Sequence, residues 1–322
     1  MREYGEFDFI ESIKALFAKM PQNDFEGIGD DCAVLPIGGD EVLVFTSDML
    51  NEDIHFLTDK STPFQIGYKS VMVNISDVAA MGAKPVATLL SLALPEERFG
   101  EWSADFMKGY HAASKRYGVK LVGGDTTKSK SGVCINVTAI GRAPLSNIKR
   151  RSTAKVGDVI MVTGKLGASA AGLRDVLSGK LTTRNAKIHL MPEARVKEGM
   201  WLGERPEVHA MMDISDGIGS DLEHIIALSK KGAVIYEDCL PQAEGADFTD
   251  ALSGGEDYEL LLTVERRKAD ELAHRFEAKF GKPLYSIGKI VRGNGSCYDI
   301  GMEDANGERM YCSTGLGGYH HF

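Results

Sequence analysis

No stretch of the 322 residues is apolar for long enough to span a bilayer, and the charged segment from Met1 to Lys14 lacks the apolar core of a secretory leader. A soluble, cytoplasmic protein with no membrane partner is expected. Cysteine is scarce: Cys32, Cys134, Cys239, Cys297 and Cys312 are odd in number, widely spaced and never arranged as Cys-x-x-Cys. That pattern excludes a disulfide framework and a thiolate zinc site, and leaves reduced, packed thiols. Long basic runs are missing too. With 37 Lys and Arg against 46 Asp and Glu, the net charge is −9 and no surface offers itself to nucleic acid. Two nucleotide motifs are also absent. There is no Gly-x-x-x-x-Gly-Lys-Ser/Thr loop, and Gly27-Ile28-Gly29-Asp30-Asp31-Cys32 lacks the third glycine of a dinucleotide fingerprint and precedes a strand, not a helix.

What is present suffices for two hydrophobic cores, since 43% of the residues are apolar. Phe7, Ile10, Ile13, Leu16, Phe17 and Met20 recur at helical spacing and predict a docking helix with one buried face. Strands are expected at 32–35 and 42–45. A helix follows, with Thr62 as its cap, Pro63 in its first turn and Gly82 just beyond its end. A strand at 86–94, a helix at 99–117 and strands at 119–122 and 133–140 give a ββαβαβ-type order, with helices layered on a largely antiparallel sheet. The polar, basic stretch 146–157 is the expected linker, its charges forming a solvated face. Beyond it, a strand at 158–163, a Gly/Ala-rich helix from Ala168, helices at 218–229 and 267–280, and strands at 258–264 and 285–291 predict a second α/β domain. The fold class is therefore α+β / α/β, with domains at 1–145 and 146–322.

Carboxylates recur at strand ends and in glycine-rich turns: Asp30 and Asp31 after Gly29, Asp48 after Thr46 and Ser47, Asp125 after Gly123 and Gly124, Asp213 and Asp216 around Ser215. Any one of them is accounted for by turn chemistry, since Asp suits tight loops and helix caps. Asp77 is different. It falls with Ser70 and Asn74 within roughly a sixth of a turn on an otherwise apolar helix, and a lone buried carboxylate is costly. Carboxylates about 4 Å apart repel by roughly 4 kcal/mol at an effective dielectric near 20, so a cation must sit between them. Oxygen ligands without His or Cys select Mg²⁺ or Ca²⁺, and Mg²⁺ with phosphate oxygens is the usual arrangement in phosphoryl transfer.

The runs 27–34, 46–48, 74–83, 123–127, 213–217, 253–260 and 318–322 resemble, in order and spacing, the signature set of the thiamine-monophosphate kinase family, over nearly the whole chain. Shorter versions of three of them are shared with aminoimidazole ribonucleotide synthetase, selenophosphate synthetase and a hydrogenase maturation factor. The resemblance implies an ATP-dependent phosphorylation of thiamine monophosphate to thiamine diphosphate by direct in-line transfer, in a homodimer whose N-terminal domains pair their sheets. It further implies that Asp31, Asp48, Asp77, Asp125, Asp213 and Asp216 hold several Mg²⁺ ions, with oxygens from Thr46 and Ser47. Gly124, Asp125, Arg151 and Ser215 match ATP-contacting positions, and Asp48, Asp77, Asp125 and Arg151 the catalytic ones. His55, Glu256 and Tyr319 match residues holding the thiamine end, where a thiazolium cation calls for a carboxylate and an aromatic face. The 164–172 run is left out of the site, because close helix packing explains its glycines as well as phosphate binding does. The alternatives are another ATP-using enzyme of the superfamily, of the selenophosphate or aminoimidazole ribonucleotide synthetase type, or a non-catalytic metal- or vitamin-binding protein. The selenophosphate type is disfavoured because residues 1–31 contain no Cys.

Overall fold

The computed structural model describes residues 5–18, 20, 24–296 and 299–311. Its first half forms α1 (Glu6–Phe17), β1 (Ala33–Gly38), β2 (Glu41–Asn51), α2 (Pro63–Ala80), β3 (Lys84–Leu94), α3 (Glu101–Tyr117), β4 (Lys120–Lys128) and β5 (Cys134–Pro144). The sheet runs β1-β2-β5-β3-β4, antiparallel at every step except the parallel β3/β4 pair. Order along the chain is thus ββαβαββ, and all five strands fall where strands are expected, one more than the ββαβαβ label counts.

α2 begins where its sequence demands. The Thr62 hydroxyl accepts from the Gln65 amide, the Gln65 side chain reaches back to Thr62, and Pro63 fills the first position. The helix lies between α3, the first sheet and elements of the second half, so it is covered on nearly all sides. That explains a helix with little amphipathic contrast.

The second half contributes β6 (Val159–Val162), α4 (Ala168–Leu177), α5 (Arg184–Leu190), α6 (Val196–Gly203), β7 (Val208–Asp213), α7 (Ile218–Ser229), β8 (Gly232–Tyr236), α8 (Phe248–Ser253), β9 (Leu260–Val264), α9 (Ala269–Phe280), β10 (Tyr285–Val291), β11 (Ile300–Glu303) and β12 (Arg309–Tyr311). Its seven strands run β12-β11-β8-β10-β6-β9-β7, with only β8/β11 parallel. Two domains built on mixed sheets match the expected fold class. The short elements α5, α6, α8, β7, β8, β11 and β12 carry no sequence signal strong enough to mark them.

Two expectations need correction. α1 forms, yet its apolar face is not covered: Leu16, Phe17 and Met20 are exposed and Ile10 and Ile13 only half-buried. Helical spacing specifies a face but not what covers it. The basic stretch around the linker is only in part a solvated face. Lys149 is buried and donates to the Arg205 carbonyl, Arg150 forks onto Glu26, and Arg142 pairs with Glu41. Arg142 stays exposed on its pair, whereas Lys149 is drawn inside.

Candidate active site

The outer end of β2 carries Thr46 and Asp48 on the face toward α2 and Ser47 on the other, as strand alternation requires. The Thr46 hydroxyl donates to Asp77 Oδ2 at 2.5 Å, and the Asp48 amide donates to Asn74 Oδ1 at 2.9 Å. Asn74 in turn donates to the Ser70 carbonyl. The polar stripe of α2 is therefore the surface against which the β2 carboxylate is fixed. Ser47 points away, with its hydroxyl between Asn136 and Thr138 of β5.

Asp213 ends β7, and its Oδ2 accepts from Ser76 of α2 at 2.5 Å, across the boundary between the sheets. Asp31 enters from the loop before β1 and takes the Arg151 guanidinium at 2.6 Å, while the Arg151 amide donates to Asp30 at 2.9 Å. Carboxylate oxygens of Asp31, Asp77 and Asp213 lie within 4.8 Å of one another. Burial raises Asp213 to about 8, and Asp31 pushes it the same way. Asp48 rises to about 6 through burial, then through Asp216 and Asp31. Asp77 is held well above its ordinary value by burial and by Asp48, Asp213 and Asp31.

These residues fit a hard divalent cation. The donor set is all oxygen, the charges repel where they stand, and Asp31 Oδ2 is buried without a hydrogen-bond partner among the described residues. Asp216 is brought to Asp221 and His224, again within 4.8 Å, and its charge reaches Asp48. Asp125 and Gly124 are not in this group. They sit on the exposed edge strand β4, three strand spacings, about 14 Å, from β2. Gly124 is required there, because its φ is +144° and a Cβ would stand 1.8 Å from the Leu90 carbonyl oxygen.

The run 253–258 is fused to the Asp213 loop through backbone. Glu256 donates its amide to the Ser215 carbonyl at 2.7 Å and Tyr258 to that of Ile214 at 2.9 Å. A Cβ on Gly255 would meet the Ser215 carbonyl at 2.4 Å, so only glycine allows this approach. Glu256 and Tyr258 take left-handed φ values of +63° and +50°, which stops β9 from beginning at 258 as expected. Ser215, through its amide, is held by Asp221. His55 lies in the turn after β2, its Nδ1 accepting from the Asn51 amide. Neighbouring Glu52 is turned to the Val133 amide and the Thr58 hydroxyl. Tyr319 lies outside the described residues. In the 164–172 run, the amides opening α4 are taken by the Asp257 carboxylate at Gly167 and Ser169, which leaves no place for phosphate.

Sequence reasoning missed Ser76, Asp221, His224, Lys69 and His189. Lys69 had a signal equal to that of Asp77, a charge on an apolar helix, and Asp221 and His224 stand within two turns or so of Asp216 in the chain, whereas the partners of Ser76 and His189 come from distant segments.

Two sheet-and-helix halves meeting at a carboxylate cluster define an AIR synthase-related protein. Residues 29–143 match the family described as AIR synthase related protein, N-terminal domain, and 155–299 match its C-terminal domain. The chain is 36% identical to the thiamine-monophosphate kinase of Haemophilus influenzae, over 99% of this chain and 98% of the relative. It superposes on the crystal structure of thiamine-monophosphate kinase from Stenotrophomonas maltophilia with a TM-score of 0.74 and 35% identity, covering 94% of this chain and 97% of the other. With the structure of AaThiL complexed with AMPPCP and TMP, the TM-score is 0.84 at 29% identity, covering 100% and 98%. The chain belongs to the thiamine-monophosphate kinase family.

Proposed function

We propose that this protein transfers the γ-phosphoryl group of ATP to thiamine monophosphate, giving ADP and thiamine diphosphate. The observation that carries this is the convergence of Asp31, Asp77 and Asp213 from both halves beside Arg151, whose Nε is buried without a partner among the described residues. AMPPCP is an ATP analogue, and its complex with TMP in a structural relative agrees with it.

Asp31, Asp48, Asp77, Asp213 and Asp216, with Thr46 beside them, would hold Mg²⁺, which when bound neutralises phosphate charge and orients the oxygens for in-line attack. Arg151 offers donors to a phosphate beside these carboxylates, and Ser215, on the loop after Asp213, is assigned to the same nucleotide. Acceptor phosphate is already largely ionised near neutral pH, so no strong general base is needed and positioning does most of the work. His55 and Glu256 face the acceptor side, and Tyr319 is assigned to the same end. A homodimer completes the assignment. β4 is exposed along its whole length, including Leu121 and Val122, and pairing with a second copy would cover that edge and bring Gly124 and Asp125 to the partner's site. Residues 1–145 then serve ATP, metal and dimerisation, and 146–322 carry the acceptor segment and tail. Among the described residues no helix is long and apolar enough to cross a membrane, and the free cysteines Cys32, Cys134 and Cys239 suit the cytoplasm.

ADP release in Mg²⁺ should depend on thiamine monophosphate, and Asp77→Asn should lower it to below about 1% while the melting temperature in chelator holds or rises, since repulsion is relieved. ADP release independent of thiamine monophosphate, or an active Asp77→Asn, would overturn the assignment.

A further inference from the structure

Lys69 is buried on α2, with only 4% of its surface exposed, about one turn and a half before Asn74 on a mostly apolar helix whose other charge is Asp77. A buried ammonium persists only where acceptors hold it. This one has two, from opposite halves of the molecule. Its Nζ lies 2.6 Å from Glu256 Oε1 and donates to the His55 carbonyl at 3.4 Å. Glu256 Oε2 stands 3.3 Å from His189 Nδ1 on α5, and that nitrogen is 2.9 Å from the Ser169 hydroxyl. Burial first, then the Lys69 charge, push His189 down to about 4, so it is neutral at pH 7. Lys69 is therefore the full positive charge against Glu256, whose carboxyl burial would raise but Lys69, His189 and His55 hold below its ordinary value.

The arrangement is asymmetric. Lys69 is sealed beneath, whereas the Glu256 side chain is 28% exposed and rides on a left-handed backbone. Stability alone would be served as well by apolar residues of the same volume. A cation under one side of a carboxylate fixes that carboxylate's direction and leaves its other side to a ligand.

We propose that Lys69 is the positioning residue of the acceptor-substrate pocket, a buried ammonium that ties the Glu256 carboxylate and the His55 loop to one point. It acts through Glu256 and rests on the assignment of His55 and Glu256 to the thiamine end.

Steady-state kinetics on the full chain, varying each substrate in turn beside a thermal melt, test it. Lys69→Met should raise KM for thiamine monophosphate about tenfold or more, leaving kcat and KM for ATP within about threefold. Lys69→Arg should bring that KM back to within about threefold of the parent. In a Glu256→Gln background, Lys69→Met should add less than about twofold, because nothing is left to position. If Lys69→Met is too unstable to assay, the double variant, which leaves no lone buried charge, is compared with Glu256→Gln instead. A raised KM in Glu256→Gln with none in Lys69→Met overturns the role of Lys69. An unchanged KM in both overturns the assignment of Glu256 itself, and equal loss toward both substrates marks a structural ion pair and overturns the proposal.

Discussion

Asp31, Asp77 and Asp213 stand close enough that their charges oppose one another, and the chain tolerates this because each is pinned by a donor from a different element. Arg151 holds Asp31, Thr46 holds Asp77, and Ser76 holds Asp213. The consequence is a fold linked to both protons and metal. Burial, with neighbouring carboxylates, raises Asp48 to about 6 and Asp213 to about 8. A carboxyl raised on folding keeps protons that the unfolded chain gives up from about pH 4, so the metal-free fold loses stability as pH climbs through about 8. Mg²⁺ competes with those same protons, and its stabilising effect grows as they leave. Thermal melts in chelator should therefore fall between pH 5.5 and pH 8.5, and the gain on adding Mg²⁺ should be larger at pH 8.5 than at pH 5.5. A gain independent of pH would contradict the proton-metal competition.

At the scale of elements, α2 organises the site. It carries Lys69, Asn74, Ser76 and Asp77, so its placement sets the acceptor pocket and the carboxylate cluster together. Its placement depends on bare backbone contact with α3. A Cβ on Gly67 would stand 2.1 Å from the Phe106 carbonyl oxygen, and one on Gly109 would stand 1.8 Å from that of Phe64. Neither obstacle is a flexible side chain, so the helices must separate. Gly109→Ala should cost about 1–3 kcal/mol by overpacking, lowering the melting temperature by about 2 °C or more in a chain of this length. Since α2 moves as a unit, activity toward both substrates should fall together. Calorimetry and kinetics on the same preparation check this, and a native melting temperature would show that the contact is looser than the backbone distances indicate.

For the whole molecule, the edge of the first sheet is the unfinished part. Strand β4 exposes Val122 by 58% and Leu121 by 41%, beside Leu89 at 38% on β3. An open apolar edge invites pairing, and a second copy offers the same edge in return. Light scattering should give a mass near 70 kDa, twice the 35.0 kDa of the chain. Val122→Glu should shift it toward 35.0 kDa. Activity should fall with it if Asp125 serves the partner's site. A parent protein that stays at 35.0 kDa at micromolar concentration would refute the pairing.

Capping and periodicity were enough to place α2, α4, α7 and β10 from sequence, because Thr62 with Gln65, glycine-rich turns and apolar runs act within a few residues. The same local logic marked Asp77 as costly and therefore purposeful, and the ordered acidic runs pointed to the family. Sequence by itself thus determined the elements, the inventory of oxygen ligands and the chemistry they suit. It could not decide which ligands meet. Asp31, Asp77 and Asp213 are brought together by packing between two sheets, while Asp125 is carried to an edge strand by the β2-β5-β3-β4 order. The hydroxyl of Ser47 is turned aside by strand alternation that its neighbours Thr46 and Asp48 exploit. The basic linker was solvated on composition and is paired in the fold, and the face of α1 was buried on spacing and is exposed. Such outcomes depend on contacts between segments tens to hundreds of residues apart, whose partners exist only once both sheets have closed on α2.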